Sequence, residues 1–457
     1  MAESYWSSDA LRLLEQAWQR GARYLERLQS RAVAASPAAV EALHRLDRPL
    51  PPLGNEPART LELLDELVSP ATMAMAGPRF FGFVIGGTLP AALAANWLAG
   101  TWDQNAAFFG PTPGVARLEQ VALRWLIELF DLPADTGGAF VTGATVANFT
   151  ALAAARHAVL ARAGWNVEAD GLFGAPPISV IAGEEAHPSL LKALGLLGLG
   201  RSRIVRVPVD DQGRMRAELL PEIAGPTILC LQAGNVNTGA SDPLAALIEA
   251  GQRHGAWVHV DGAFGLWAKV SPRHRAQVES VERADSWATD AHKWLNVPYD
   301  SGLALVRDAR ALSAAMAVTA DYLPGAGAAR NPCDYTPELS RRARGVEVWA
   351  ALHSLGRAGL AELVERNCAH AREFAARLTA AGYTVLNEVV LNQVLVSFGN
   401  AEQTRAVVAG LQREGTCWCG ITVWQGRTAM RISVSNWSTQ NSDVDRSVEA
   451  MLRVARG

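Results

Sequence analysis

The sequence predicts an α/β fold with a mostly parallel central sheet covered by helices on both faces, an N-terminal helical arm and a small C-terminal α/β domain. Between residues 115 and 306, short apolar stretches alternate with helical patterns. Residues 1–76 show helical spacing but no core of their own. After about residue 350, long helical patterns are followed by only a few strands.

The composition is that of a globular chain without a charged binding surface. Hydrophobic residues make up 49% of the 457 positions and charged residues 19%, which suits two or three domains. The net charge of −3 gives no electrostatic case for nucleic acid or an anionic membrane, so we expect neither as a partner. The five cysteines are few, odd in number and unevenly spaced, which predicts a protein of the reducing cytoplasm rather than one held by disulfides. Cys417-Trp418-Cys419 has no nearby His or Cys at a spacing that suits a metal site.

The arm, residues 1–76, is predicted to contain helices over 8–30 and 59–68, joined by an extended connector over 35–56. Such an arm usually packs on another domain or on a partner subunit. The polar, then amphipathic start does not resemble a signal peptide. Gly82 to Gly100 is 19 uncharged residues, but Pro90 and Asn96 favour a buried turn and a buried helix over 90–101 rather than a membrane span.

The large domain, residues 77–350, carries the alternation of strands and helices. Predicted strands cover 138–142, 178–181, 204–207, 227–231, 257–260, 286–289 and 303–306. Predicted helices cover 115–130, 145–163, 188–198, 217–224 and 242–253. Ligands gather at the carboxyl ends of such strands, so reactive side chains that follow them are the site candidates.

The small C-terminal domain, residues 351–457, follows long helices that start before its boundary. Predicted helices cover 346–357, 359–381, 401–413 and 443–455. Predicted strands cover 384–389, 393–397 and 430–434.

One lysine stands out in a chain that almost always uses arginine. Only three of the 42 basic residues are lysines, and Lys293 lies in the otherwise apolar stretch TDAHKWLNVPYDSG (289–302). Arginine cannot lose its proton in a protein, whereas a desolvated lysine can become a free amine and form an imine. The alternative is a surface lysine packed on Trp294, which the lysine count and the apolar surroundings disfavour.

Three further candidates follow strands of the same predicted sheet. Asp261 closes the strand in AWVHVDGAFG (256–265), although Asp-Gly is also an ordinary turn signal. The turn in FVTGATVANF (140–149) presents backbone N–H groups at a helix start, which suits a phosphate as well as a plain connection. His187, in AGEEAHPSLL (182–191), lies at a helix start and could equally be an ordinary loop histidine.

These positions together match the requirements of pyridoxal phosphate. That cofactor needs an amine for a Schiff base, a carboxylate at the pyridine nitrogen, a phosphate cradle and a flat group against its ring. The carboxylate keeps the ring nitrogen protonated through a charge-assisted hydrogen bond, and the protonated ring withdraws electrons from the substrate.

Several motifs resemble, in order along the chain, the group II pyridoxal-phosphate-dependent amino-acid decarboxylases, which include glutamate and aromatic-amino-acid decarboxylases. They are VTGATVAN (141–148), AHPSLLKAL (186–194), HVDGAFG (259–265), DAHKW (290–294) and SRRARGVEVW (340–349). The resemblance runs from about residue 76 to the C-terminus. It implies a fold of the aspartate-aminotransferase type (fold type I) and a homodimer with a swapped arm and an active site at the subunit interface.

The resemblance also implies a role for each matching position. Lys293 matches the Schiff-base lysine and His292 its neighbour, while Asp261 matches the partner of the pyridine nitrogen. The other matches are the residue packed on one ring face, the histidine stacked on the other face and the two phosphate-binding residues, namely Ala263, His187, Ala144 and Thr145.

The implied reaction converts an L-amino acid to its amine and CO₂. In relatives, a tyrosine on a mobile loop supplies a proton to the α-carbon. The Gly-, Ala- and Pro-rich segment 325–338 looks like such a loop, with Tyr335 as the candidate donor and Tyr322 as a second candidate. Either could instead be a packing tyrosine.

Two stretches depart from the family pattern. LQAGNVNTGASD (231–242) brings Gln232, Asn235 and Asn237 to a strand end where relatives often carry Thr-rich residues. We expect Gln232 near the cofactor ring or near Lys293, where amides could change the reaction outcome or the substrate choice. Asp290 falls where several relatives have an Asn near the phosphate, which suits an acid only if it points away from the dianion.

The substrate side is the least determined part. Phe80, Phe81, Phe83 and the segment 101–110 are expected to line the pocket, unless these aromatics belong to the core. With no obvious basic residue to select an acidic side chain, an aromatic or apolar amino acid is favoured. The alternative is another outcome with the same cofactor, such as a decarboxylating aldehyde synthase, a retro-aldol lyase or an aminotransferase. A non-catalytic binding protein is disfavoured because Lys293 and Asp261 are both intact.

Overall fold

The structure, a computed structural model, describes residues 6–318 and 329–457. The described part of the arm contains four α-helices: α1 Ser8–Glu26, α2 Pro37–Glu41, α3 Pro57–Leu63 and α4 Ser69–Ala71. The Ser7 hydroxyl caps α1 by accepting from the backbone N–H of Ala10. None of the α1 side chains is buried, so this helix contributes almost nothing to a core within one chain.

The next two helices are α5, Pro90–Trp102, and α6, Pro113–Leu129. We expected α5 to be buried, and within one chain this is wrong for one face. Trp97, Leu98 and Trp102 are 42%, 52% and 45% exposed. Exposed apolar faces of this kind are typical of surfaces at which another molecule binds.

Seven strands form the central sheet in the order β1-β7-β6-β5-β4-β2-β3. The strands are β1 Gly137–Val141, β2 Ser179–Gly183, β3 Val205–Val207, β4 Thr227–Gln232, β5 Trp257–Asp261, β6 Ser286–Asp290 and β7 Gly302–Val306. β7 runs antiparallel to both neighbours, and the other adjacent pairs are parallel. The prediction of a mostly parallel sheet is confirmed.

Helices cover both faces of this sheet, which is why its strands read as continuous apolar runs. The helices are α7 Ala144–Arg162, α8 Val167–Asp170, α9 Pro188–Leu196, α10 Leu244–Arg253 and α11 Ala309–Met316. One core lies between the sheet and α6, α10 and α12, which spans Gly345–Ala380. The other core lies between the sheet and α7, α9 and α11.

A second, antiparallel sheet of four strands follows, in the order β10-β11-β9-β8. Its strands are β8 Thr384–Val385, β9 Gln393–Ser397, β10 Gly420–Trp424 and β11 Arg427–Ser433. Its core includes the second half of α12 together with α13, Ala401–Glu414, and α14, Asn441–Arg456. The two helices predicted over 346–381 are α12, which is broken at Gly356, where φ is +59°. The predicted limits of the domains stay a prediction.

Three local predictions were wrong. The helix over 217–224 is a single 3₁₀ turn, Ala217–Leu219, because Pro221 cannot continue a helix. The strand over 384–389 stops at Val385, since the Asn387 side chain takes over the pairing with Gln393 O and Leu395 N. β10 was missed altogether: its apolar residues Ile421 and Val423 are 46% and 62% exposed.

Candidate active site

Five parallel strands bring the candidate residues to one edge of the central sheet. β1, β2, β4, β5 and β6 all end there, and the residues at or just after these ends include Ala144, His187, Gln232, Asp261 and Lys293. Such an edge is where open α/β sheets bind ligands. His187, Gln232 and Asp261 line one small cavity there.

Asp261 ends β5 and is only 4% exposed. Its Oδ1 accepts a hydrogen bond from the backbone N–H of Ala263 at 3.2 Å, and its Oδ2 accepts one from Asn148 Nδ2 at 3.0 Å. Ala263 thus lies against the carboxylate that should face the cofactor ring. Because the strand register pairs Gln232 with Asp261, the Gln232 side chain lies next to Asp261, and its predicted place near the cofactor ring stays a prediction.

Behind Asp261 lies a chain of buried donors that sequence reasoning missed. Trp257 Nε1–H donates to Ser286 Oγ at 2.8 Å, and that hydroxyl lies 2.9 Å from His259 Nδ1. His259 Nε2 lies 2.8 Å from Asn148 Oδ1. Burial lowers the pKa of His259 to about 3, so its ring is neutral and donates from Nε2. The only sequence signal was the position of His259 and Asn148 inside the quoted motifs.

His187 is the N-cap of α9, where its Nδ1 accepts from the backbone N–H of Ser189 at 3.2 Å. This contact fixes the ring and leaves the hydrogen of the neutral imidazole on Nε2. The pKa of His187 is lowered, first by burial, and the nearby charges of Lys293 and Arg431 lower it further while Asp261 raises it. His187 is therefore a neutral, flat group close to both Lys293 and Asp261.

Lys293 lies in the turn after β6, with 16% of its side chain exposed. Its Nζ is 3.2 Å from Asp290 Oδ2 and 5.9 Å from the centre of the Phe264 ring. Trp294 packs in the core beside it. The lysine is therefore a mostly desolvated amine with one acidic partner, as the functional interpretation expects.

A carboxylate of the chain itself is bound at the start of α7. The Ala144 N–H donates to Asp290 Oδ1 at 2.6 Å, so a carboxylate lies where a phosphate oxygen is expected. A Cβ on Gly143 would lie 3.1 Å from His292 Cε1, so a larger residue there would press against the His292 ring. Thr145, the next residue, is partly exposed at the same helix start. From the sequence, an acid at position 290 was compatible with a bound phosphate only if its side chain pointed away. The structure instead turns the Asp290 side chain toward the start of α7.

These residues fit pyridoxal phosphate. The helix start already holds one anionic group, a buried carboxylate lies at a strand end, and an amine and a flat imidazole lie beside it. Lys293 would hold the aldehyde, Asp261 the ring nitrogen, His187 and Ala263 the ring faces, and Ala144, Thr145 and His292 the phosphate end.

Two of the three amides in 231–242 have structural partners. Asn235 Nδ2 donates to Glu185 Oε2 at 2.9 Å, and Asn235 Oδ1 accepts from the N–H of Asn237 at 2.8 Å. Asn237 Oδ1 accepts from Thr422 Oγ1 at 3.1 Å. These contacts tie the turn to the second sheet, so an effect of Asn235 or Asn237 on reaction outcome would be indirect. Of these three amides, only Gln232 lines the small cavity beside Asp261.

Tyr335, the candidate donor of the predicted lid, is not brought to this site within one chain. Tyr335 packs on the core beside α7 and α11, with the Arg330 guanidinium 4.0 Å from its ring centre. Among the contacts of the described residues, none joins Tyr335 to Lys293 or His187. Its role as a proton donor stays a prediction, and Tyr322 lies outside the described residues.

Two of the expected pocket aromatics are core residues, so that prediction was wrong for them. Phe80 stacks on Trp418 at 5.0 Å, Phe81 meets Phe374 edge-on at 5.1 Å, and both are 1% exposed. Phe83 is 57% exposed.

Arg431 of β11 was missed by the sequence reasoning. It lies close enough to His187 to lower the pKa of that residue, and burial lowers the pKa of Arg431 itself. No carboxylate pairs with it in residues 6–318 or 329–457. A partly buried guanidinium without an acidic partner, beside a predicted site, is a group that can receive a carboxylate.

Other classes of site are not indicated. None of the helices in the described part of the chain combines the length and apolar character that crossing a membrane requires. Within the same ranges, no group of three His, Cys, Asp or Glu side chains is arranged to hold a metal ion. All five cysteines are free and buried.

Comparison with known proteins points to the same cofactor. A family model described as the pyridoxal-dependent decarboxylase conserved domain matches residues 46–399. Tryptophan decarboxylase 1 of Oryza sativa subsp. japonica is 29% identical over 418 residues, covering 82% of this chain and 80% of that protein. Phenylacetaldehyde synthase of Arabidopsis thaliana is 27% identical over 356 residues, covering 73% and 71%.

A solved structure confirms the expected fold. The crystal structure of Oryza sativa TDC with PLP and tryptamine superposes with a TM-score of 0.90 over 99% of both chains, at 24% sequence identity. At that identity, the superposition shows the fold alone.

Proposed function

Because the chain belongs to the pyridoxal-dependent decarboxylase family, we propose that it converts an L-amino acid with an aromatic or apolar side chain to the corresponding amine and CO₂. Its cofactor is pyridoxal phosphate. The observation that carries the proposal is the presence of a buried carboxylate, Asp261, and an amine, Lys293, beside the neutral His187 at one sheet edge.

The residues divide the work of this reaction. When bound, pyridoxal phosphate supplies the electron sink for the bond that breaks at the α-carbon. Lys293 would hold the cofactor through its amine. Asp261, fixed by Asn148 and by the Ala263 N–H, would keep the ring nitrogen protonated. His187, fixed by Ser189, would cover one face of the ring and help to exclude water.

Arg431 bears on how the substrate is oriented. Its guanidinium on β11 lies near His187, has no carboxylate partner in the described part of the chain and is suited to bind a substrate carboxylate. The α-carboxylate meets that need for any amino acid. Arg431 also gives a second candidate function, decarboxylation of an amino acid with an acidic side chain, because a side-chain carboxylate would satisfy the same cation.

The exposed apolar faces support a homodimer. Leu11, Leu14 and Trp18 of α1 are 54%, 52% and 54% exposed, and α5 presents a similar face. Covering both faces with a second copy would give the coreless arm a place to pack. In this proposal the active site lies at the interface, where Tyr335 of one subunit could reach Lys293 of the other. Sedimentation equilibrium of the purified protein tests it, and a monomer at micromolar concentration would contradict it.

The activity test is incubation of the protein, supplied with pyridoxal phosphate, with aromatic, aliphatic and acidic amino acids. An amine with CO₂ supports the proposal, an aldehyde with ammonia supports an aldehyde synthase, and a keto acid supports an aminotransferase. Lys293→Ala should abolish turnover and the imine absorbance. Lys192→Ala, which removes an exposed lysine of α9, is the matched control and should leave both unchanged. Full activity in Lys293→Ala would refute the assignment.

A further inference from the structure

We propose that the Asp290 carboxylate is an internal anion that competes with the cofactor's phosphate and sets how tightly that phosphate binds. The inference rests on the pyridoxal phosphate site but not on any particular substrate or reaction. It concerns a residue that the sequence marked only as a departure from the family pattern.

The Asp290 side chain lies in the centre of the cradle. Its Oδ1 accepts from the Ala144 N–H at 2.6 Å, at the first residue of a 19-residue helix whose dipole favours an anion there. Its Oδ2 lies 3.2 Å from Lys293 Nζ, and the side chain is 3% exposed. Both groups that should receive the cofactor, the helix start and the amine, are thus in contact with one carboxylate.

His292 completes the surroundings of this carboxylate. The backbone N–H of Ser301 donates to His292 Nδ1 at 3.0 Å, which leaves the ring hydrogen on Nε2. His292 Nε2 lies 3.6 Å from Asp290 Oδ1. Three donors from three different segments therefore converge on Asp290: a backbone N–H, an imidazole and an amine. This is the donor set that a phosphate needs.

The backbone prevents Asp290 from moving away as a whole. Its N–H donates to Ala263 O at 2.9 Å, and the residue pairs with Gly302 in the ladder between β6 and β7. Only a rotation of the side chain can release the Ala144 N–H. A phosphate dianion and a carboxylate in one desolvated cradle also repel each other, and a like charge a few ångströms away disfavours binding strongly.

The competing interpretation is that Asp290 is only a cap for α7 and does not sense the phosphate. Asp290→Asn separates the two. The amide oxygen can still accept from the Ala144 N–H, so a capping role survives, whereas the negative charge is gone. The amide can also turn and donate to the phosphate, which a carboxylate cannot do.

The test measures binding of 4-deoxypyridoxine 5′-phosphate, which has no aldehyde and forms no link to Lys293. Calorimetry on the full chain gives its dissociation constant for the unaltered protein and for Asp290→Asn, alongside the unphosphorylated 4-deoxypyridoxine. We expect the phosphate ester to bind about tenfold or more tightly to Asp290→Asn, as removal of one nearby like charge predicts. The unphosphorylated compound should bind equally to both proteins.

Two controls keep the result specific. Asp300→Asn removes the same charge from the turn between β6 and β7, where Asp300 Oδ1 pairs with Arg344 at 2.9 Å rather than with the Ala144 N–H or Lys293, and it should change phosphate binding much less. Asp290→Ala replaces Asp290→Asn if the amide variant does not fold, and the same tightening is expected.

Equal or weaker binding of the phosphate ester by the neutral variant would overturn the proposal, and so would an equal gain for the unphosphorylated compound. Because no turnover is measured, this test and the test of decarboxylation can fail separately.

Discussion

The buried donor chain behind Asp261 makes a quantitative prediction about Asn148. Replacing Asn148 by Leu keeps most of the side-chain volume and removes two hydrogen bonds, of 3.0 Å to Asp261 and 2.8 Å to His259. Asn148 and His259 are both 0% exposed, so water cannot replace the lost partner. An unsatisfied buried polar group costs about 1–3 kcal/mol, so the two groups together should cost about 2–6 kcal/mol of the free energy of unfolding.

Urea unfolding of the cofactor-free protein measures this loss. The midpoint should fall while the slope of the free energy with urea stays unchanged, because the surface exposed on unfolding is the same. Thr150→Val is the matched control: Thr150 is also a 0% exposed residue of α7, but its hydroxyl donates only to Val146 O of the same helix at 2.8 Å. That change should cost about 1 kcal/mol or less. If Asn148→Leu lowered the free energy of unfolding by less than about 1 kcal/mol, rather than by about 2–6 kcal/mol, the donor chain would not support Asp261 in this way.

Three further outcomes are expected. Burial lowers the pKa of His259 from 6.5 to about 3, so between these pH values the unfolded chain binds a proton that the folded chain does not. The free energy of unfolding should therefore fall as the pH falls, by about 1.4 kcal/mol per pH unit from this group. When urea unfolding is repeated at several pH values, the free energy of unfolding of His259→Gln should depend less steeply on pH than that of the unaltered protein. Glu185 accepts hydrogen bonds from Asn235 Nδ2 at 2.9 Å and from Trp424 Nε1 at 3.0 Å. Glu185→Ala should therefore lower the free energy of unfolding by about 2 kcal/mol or more. An equal loss in Glu185→Gln would argue against these hydrogen bonds as the cause. In Gly302→Ala, the new Cβ would lie 2.4 Å from the Gly143 backbone, so the melting temperature should drop sharply, and an unchanged one would contradict the close approach of these two turns.

The positions of the site residues along the chain were predictable because strand ends can be read locally. Lys293, Asp261, His187 and Ala144 each follow an apolar run, and parallel strands place such residues at one edge whatever the details of packing. The same reasoning failed for aromatic residues, because an aromatic side chain near the site in sequence can line a pocket or belong to the core. Phe80 and Phe81 lie near the site in sequence, but their rings serve the core.

The direction in which a side chain points was not predictable. Asn148 reaches Asp261 across 113 residues of sequence, and Asp290 reaches Ala144 across 146. Arg431 belongs to the second sheet, yet it lies close to His187, which follows a strand of the central sheet. Contacts of this kind depend on how helices and sheets pack together, which no local window of sequence contains.

By itself, the sequence determined the seven strands of the central sheet along the chain, the amine, carboxylate and imidazole that follow strand ends, and hence the cofactor. These follow from local periodicity and from the chemistry of individual residues. Only the tertiary structure decided that Asp290 turns toward the start of α7, that a buried donor chain supports Asp261 and that Arg431 has no acidic partner within residues 6–318 and 329–457. The physical reason is that each of these facts is a distance between segments far apart in the chain, and such distances are set by the packing of the whole core.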